Sequence, residues 1–283
     1  MKDKILERCL YLAGLFAVSL SVLILFFLIY FSLPLFQPAI LKNILSFEWQ
    51  PLYGKFGILP MALTSIILAV LAVTIALPIG LGISCLLSSL ANKGIAKIGD
   101  ILIRFMTSIP TVIYGFVSIF VLIPFIRDIS GKGSGFCLLS AIFVLSILIL
   151  PTMVLLISDS FKSVPKSYIE SSKALGFTPI QELIYIIIPY SKFGIINAVI
   201  LGFGRAIGDT MIALMIAGNA AQVPYSFFDS VRTLTAQIAL VLASDTESLT
   251  FKSIFASGLI LFIFMLLASL SSYFIIHKKR LNQ

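Results

Sequence analysis

Charge is what this sequence has least of. Only 11% of its 283 residues are Asp, Glu, Lys or Arg, against about a quarter in an ordinary soluble domain, while 59% are apolar. So little polar surface excludes a soluble enzyme, and it also excludes a basic nucleic-acid-binding domain, although 20 Lys and Arg against 12 Asp and Glu give a formal charge of +8. Histidine occurs once, as His277 in a basic tail, and neither H-E-x-x-H nor G-x-S-x-G is present, so a metal centre or a Ser-His nucleophile has nothing to be built from. The three cysteines, Cys9, Cys85 and Cys137, are odd in number and far apart, which makes them small packing residues rather than a disulfide framework. The glycine-rich stretch 130–135 lacks the G-x-x-x-x-G-K-[ST] spacing of a phosphate-cradling loop, so any ATP used with this chain must sit on another one.

Apolar length is what the sequence has in excess. Runs near residues 10–31, 59–87, 103–126, 136–157, 193–216 and 254–276 are each long enough to cross a bilayer, which takes about 20 residues as helix. The expected fold is therefore an all-α membrane protein with six transmembrane helices. The third run contains Pro110, Gly115 and Pro124, tolerable in a helix buried by its neighbours. The first run follows Lys2, Lys4 and Arg8 like a signal peptide, but its apolar core is too long and no A-x-A site follows, so it reads as a retained helix. Trp49 and Tyr53 read as interfacial anchors, and the many Phe and Met as packing and lipid-facing residues.

With both termini in the cytoplasm, 13 Lys and Arg fall inside and 6 outside, which satisfies the positive-inside bias. The apolar stretch 231–243 is too short to cross and carries Arg232, so it is expected as a short helix on, or dipping into, the outer face. The longest inner loop, 159–192, carries signals for two short helices. Pro165 suits a first helical position, Gly176 a left-handed residue after Leu175, and Thr178 with Gln181 a capping box ahead of a helix that exits at Pro189. Such a hairpin either docks a partner or rests on lipid headgroups.

In the fifth run, Arg205 and Asp209 stand at i and i+4 inside apolar sequence. They can pair on one helix face, and charges at that depth belong against a partner or a watery cavity. The pair is either a structural lock or a polar site on a transport route; Gly202, Gly204 and Gly208 suit close helix packing in both cases.

Two resemblances bear on these alternatives. Glu170-Ser171-Ser172, then Gly176, then Ile186-Ile187-Ile188-Pro189 resembles the E-A-A-x3-G-x9-I-x-L-P loop of ABC-importer permeases, with serines for both alanines and Ile188 for leucine. Gly204-Arg205-Ala206-Ile207-Gly208-Asp209-Thr210-Met211 resembles the G-R-A-[IL]-G-E-T-M stretch of PstC-type permeases of phosphate ABC importers, with aspartate where that family usually has glutamate. The blocks 49–60, 108–116 and 231–236 are similar to the same family, in the same order.

The resemblance implies a type I, MetI-like permease fold. Residues 1–58 would form an N-terminal helix and outer loop, 59–276 the transmembrane domain with its coupling loop 159–192, and 277–283 a cytoplasmic tail. It implies that Glu170, Ala174, Leu175, Gly176 and Phe177 contact the ATPase, and that Arg205, Asp209 and Thr210 line the route of inorganic phosphate. The implied partners are a PstA-type permease, an ATPase dimer that holds the ATP, a phosphate-binding protein and membrane lipid, with no cofactor on this chain. The rival readings are a permease for sulfate or molybdate and a transporter or channel that needs no ATPase.

Overall fold

The computed structural model describes residues 2–131, 133–246 and 248–281. Lys132 of the glycine-rich loop and Asn282 and Gln283 at the end of the basic tail lie outside the described residues. The chain begins with α1 (Lys2–Ser32) and α2 (Pro38–Ile44), followed by a two-stranded antiparallel ribbon, β1 (Trp49–Gln50) and β2 (Lys55–Phe56), which pairs Trp49 with Phe56. The bundle itself comprises α3 (Leu59–Cys85), α4 (Lys93–Ser108), α5 (Thr111–Ser130), α6 (Leu138–Lys162), α10 (Lys192–Ile207), α11 (Met211–Ile216), α12 (Leu234–Val241) and α13 (Leu249–Leu281). Between α6 and α10 project α7 (Lys166–Ala174), α8 (Pro179–Glu182) and α9 (Ile188–Tyr190), the last two joined by a π turn over Leu183–Ile187.

Among the described residues five helices are long and apolar enough to cross a membrane, and a sixth crossing arises if the bent pair Pro179–Tyr190 and Lys192–Ile207 is one span. α6 is the central post. It packs against α3 and α10, and its buried face of Ala141, Leu145, Leu148, Ile149 and Met153 supplies much of the core. Two serine hydroxyls are shared between helices: Ser146 between the Ile142 carbonyl at 2.7 Å and the Ala72 carbonyl at 3.2 Å, and Ser84 between the Gly80 carbonyl at 2.8 Å and the Val154 carbonyl at 3.2 Å, so neither costs an unpaired polar group in apolar surroundings. By contrast, α1 is exposed along most of residues 6–31 and packs mainly on α13, with Phe31 stacked on Phe255 at 4.8 Å.

Five local expectations need correction. The third apolar run is not one proline-containing helix. It breaks at Ile109 and Pro110, because proline forces its predecessor out of the helical region, and Ile109 is extended at φ −72°, ψ 125°. The part before the break, α4, is amphipathic and buries only Ile103. The fifth run also breaks, at Gly208-Asp209-Thr210. Pro165 precedes its helix as the cap residue instead of opening it, and Pro189 does not end the second hairpin helix, which continues to Tyr190 through α9. The π turn just ahead supplies the local widening that accommodates it. Finally, Cys9 is exposed rather than packed, while Cys137 is buried and Cys85 half-buried.

Candidate functional site

Arg205 lies in the last turn of α10. A cation there meets the negative end of the helix macrodipole. Its Nη1 donates to Thr152 Oγ1 on α6 at 2.8 Å, and the side chain is exposed although its neighbours Gly204 and Ala206 are buried. The sequence reading missed Thr152; the available signal was a hydroxyl directly after Pro151 in a largely apolar run.

Asp209 does not pair with Arg205. Because α10 ends at Ile207, the i, i+4 geometry expected of a continuous helix is lost, and no ion pair between the two forms. Asp209 Oδ2 instead accepts from the Ile212 backbone N–H at 3.0 Å and, from the position before the N-cap residue Thr210, satisfies a free N–H in the first turn of α11, a cap-like role. Its carbonyl accepts from Thr235 Oγ1 at 2.9 Å, which ties the break to α12. Thr210 is half-buried, and its carbonyl takes the first α11 bond, from Leu214 N–H at 2.9 Å. The break is thus stabilised from both sides, with a cation at the end of one helix and an anion at the start of the next. A short carboxylate suits a cap, which gives aspartate a physical reason here. Asp209→Ala is expected to destabilise the protein by about 1 kcal/mol through the lost cap, and Asp209→Asn by much less. Thermal melts of the two variants in detergent will check the order.

At the other end of α10 stands the hairpin. Gly176 adopts φ +79° and turns the chain between the helices, and Thr178 and Gln181 form the reciprocal capping box. Glu170, Ala174, Leu175 and Gly176 are exposed, with Leu175 at 76%, while Phe177 is half-buried edge-on against Tyr185. Ser172, one of the two serines in place of the family's alanines, is buried, and its hydroxyl is shared between the Ile169 carbonyl at 2.8 Å and Glu182 Oε2 at 3.3 Å, which links α7 to α8. An alanine could not make that link.

The hairpin and the chain break are separated by α10, whose 16 residues span about 24 Å at 1.5 Å per residue. They are joined by a single piece of chain. The hairpin's second helix ends at Tyr190, the chain bends by 67° at Ser191, and α10 leads directly to Arg205. Ser191 is fixed at the bend, since its hydroxyl donates to the Ser160 carbonyl of α6 at 3.1 Å. Gly194 lies so close to α6 that a Cβ there would stand 1.8 Å from Ser160 Oγ.

Solved structures share this arrangement of helices. A MetNI methionine ABC transporter chain in an inward-facing form matches with a TM-score of 0.63 at 18% identity, over 82% of this chain and 99% of that one. A chain of a bacterial alginate ABC transporter in complex with a pentasaccharide-bound periplasmic protein matches with 0.64 at 15% identity, over 99% and 96%. The fold is therefore that of a MetI-type ABC importer permease. Residues 76–280 match the model of the family described as binding-protein-dependent transport system inner membrane component, and the chain belongs to that family. It is a multi-pass inner membrane permease, without catalytic activity or cofactor of its own.

Curated relatives are more specific. A probable ABC transporter permease of Bacillus subtilis is 34% identical over 78% of this chain and 74% of its own length. The phosphate transport system permease PstC of Mesorhizobium japonicum is 32% identical over 79% and 75%, and that of Haemophilus influenzae 30% over 83% and 80%.

Proposed function

We propose that this permease translocates inorganic phosphate, and that Arg205 is the cation that receives it. The observation that carries the reading is the state of Arg205: exposed at the end of an apolar helix, oriented by a neutral hydroxyl and paired with no carboxylate among the described residues. A guanidinium fork matches phosphate oxygens, and a cation held this way can bind an anion and still release it. The resemblance to phosphate permeases at about 30% identity agrees in cargo. Asp209 and Thr210 contribute by holding the chain break open beside it, Asp209 through its cap and not as a counter-ion to Arg205.

In this reading the hairpin faces the cytoplasm, as do both termini. Glu170, Ala174, Leu175, Gly176 and Phe177 seat in an ATPase dimer that binds the ATP, a PstA-type permease covers the face bearing Arg205, and an external binding protein delivers the anion. Residues 1–58 add a peripheral helix to the transport domain 59–276, and 277–283 form a cytoplasmic tail. The exposed, apolar Leu175 supports the docking role. The complex reconstituted with its ATPase and binding protein should take up labelled phosphate only with ATP, with sulfate a poor competitor. Sulfate uptake in its place would defeat the cargo assignment. A cysteine at Leu175 should cross-link to the ATPase, and failure of that cross-link in an active complex would defeat the docking role.

A further inference from the structure

The chain carries a second intramembrane-type arginine that the reading above leaves unused. Arg232 follows Val231, which pairs with Gly218 beneath the loop 218–231, and precedes Thr235, whose hydroxyl reaches the Asp209 carbonyl. It therefore lies between the loop at the α3 N-terminal end of the bundle and the chain break beside Arg205; Leu234 N–H donates to Ser65 Oγ in the second turn of α3 and fixes that depth.

The side chain is half-buried and firmly oriented. Nε donates to the Asn219 carbonyl at 2.8 Å and Nη1 to Gln237 Oε1 at 2.9 Å. Asn219 is the one non-glycine residue with positive φ among those described, at 66°, so the chain adopts an uncommon conformation where it offers that carbonyl. Both acceptors are neutral, and among the described residues Arg232 forms no ion pair. Burying a cation is costly unless its charge is compensated, and neutral oxygens orient it without neutralising it.

Gln237 adds an independent observation. It is fully buried at 0% exposure, and because Oε1 is engaged by Arg232 its Nε2 points elsewhere, with no partner. Asn219 Oδ1 likewise has none. The residues around the guanidinium thus hold an excess positive charge, a spare buried donor and a spare acceptor. A partly protonated oxyanion has charge, acceptor oxygens and a hydroxyl donor to match all three.

We propose that Arg232, held by Asn219 and Gln237, is a second oxyanion station on the transport route, met before Arg205 by an anion entering from the loop end. The inference rests on the reading of this permease as an anion importer. Two fixed cations in series let the anion pass from one to the other without a single deep well, which conduction requires.

The decisive variant is Gln237→Glu in the reconstituted complex. It keeps the oxygen that orients Arg232 and supplies the missing counter-charge, so a purely structural arginine would tolerate it. The expected result is normal assembly and an unchanged melting temperature. Initial phosphate uptake should fall by about tenfold or more, the loss of one charge-assisted contact, most strongly at limiting binding-protein concentration. Arg232→Lys should retain more uptake than Arg232→Gln. Wild-type uptake by the Gln237→Glu complex overturns the proposal, as does a fall in uptake that only tracks lost assembly. If the wild-type complex carries sulfate instead of phosphate, the cargo assignment fails while the same variant, assayed with sulfate, still decides the station. A neutral or cationic cargo overturns both.

Discussion

Arg205→Gln will cut ATP-driven phosphate uptake by the assembled complex roughly ten- to a hundredfold while leaving its subunits together. Among the described residues Arg205 bonds to Thr152, and its side chain is exposed, so glutamine costs the fold little. Transport loses a charge-assisted, forked contact to the anion, worth about 1.5–3 kcal/mol, which is roughly ten- to a hundredfold in any rate that depends on it. Arg205→Lys keeps the charge but not the planar fork and should fall between. Uptake, ATP hydrolysis and co-purification of the partner subunits, measured on the same preparations, separate the cases. Full uptake with Gln at this position would remove Arg205 from the route.

The second large effect is expected far from any charge. Gly194→Ala should uncouple ATP hydrolysis from transport, because its Cβ would stand 1.8 Å from Ser160 Oγ and 2.5 Å from Ser160 Cβ. The obstruction is not a flexible side-chain tip, so α10 and α6 must separate at the bend where Ser191 is tied to the Ser160 carbonyl. Ser160→Gly removes both obstructing atoms and keeps that carbonyl. The double variant should therefore regain transport that Gly194→Ala loses, with a coupling energy that two independent lesions would not show. Hydrolysis with little uptake in the single variant and recovery in the pair is the expected pattern; additive losses would mean that the contact does not matter.

Much of the molecule was legible from local chemistry. Gly176 at positive φ, the Thr178–Gln181 capping box and the short helix within 231–243 each follow from residue types that admit few alternatives. The apolar runs showed where the chain crosses but not where it breaks. Periodicity sees 193–216 as one helix, whereas the Asp209 cap and the Thr235 contact to its carbonyl stabilise an interruption that is tertiary in origin. For the same reason the Arg205–Asp209 pair was a reasonable inference from spacing and is absent from the structure. Thr152 and Gln237 escaped notice because a polar residue in an apolar run acquires meaning only when its neighbour across helices is known. The ribbon pairing Trp49 with Phe56 is too short to leave a strand pattern.

In the proposed mechanism the bend at Ser191 also limits how far Arg205 can move. The hairpin's second helix, Pro179–Tyr190, and α10, Lys192–Ile207, form the two arms of a bell crank pivoted on α6, about 18 Å and about 24 Å long at helical rise. With arms so nearly equal, a displacement at the hairpin reaches the Arg205 end enlarged by only about a third. The crank changes the direction of a movement far more than its size, so a nucleotide-driven shift of a few ångströms delivers a shift of similar size at the arginine. That is enough to make or break one guanidinium contact, and too little to carry the anion across.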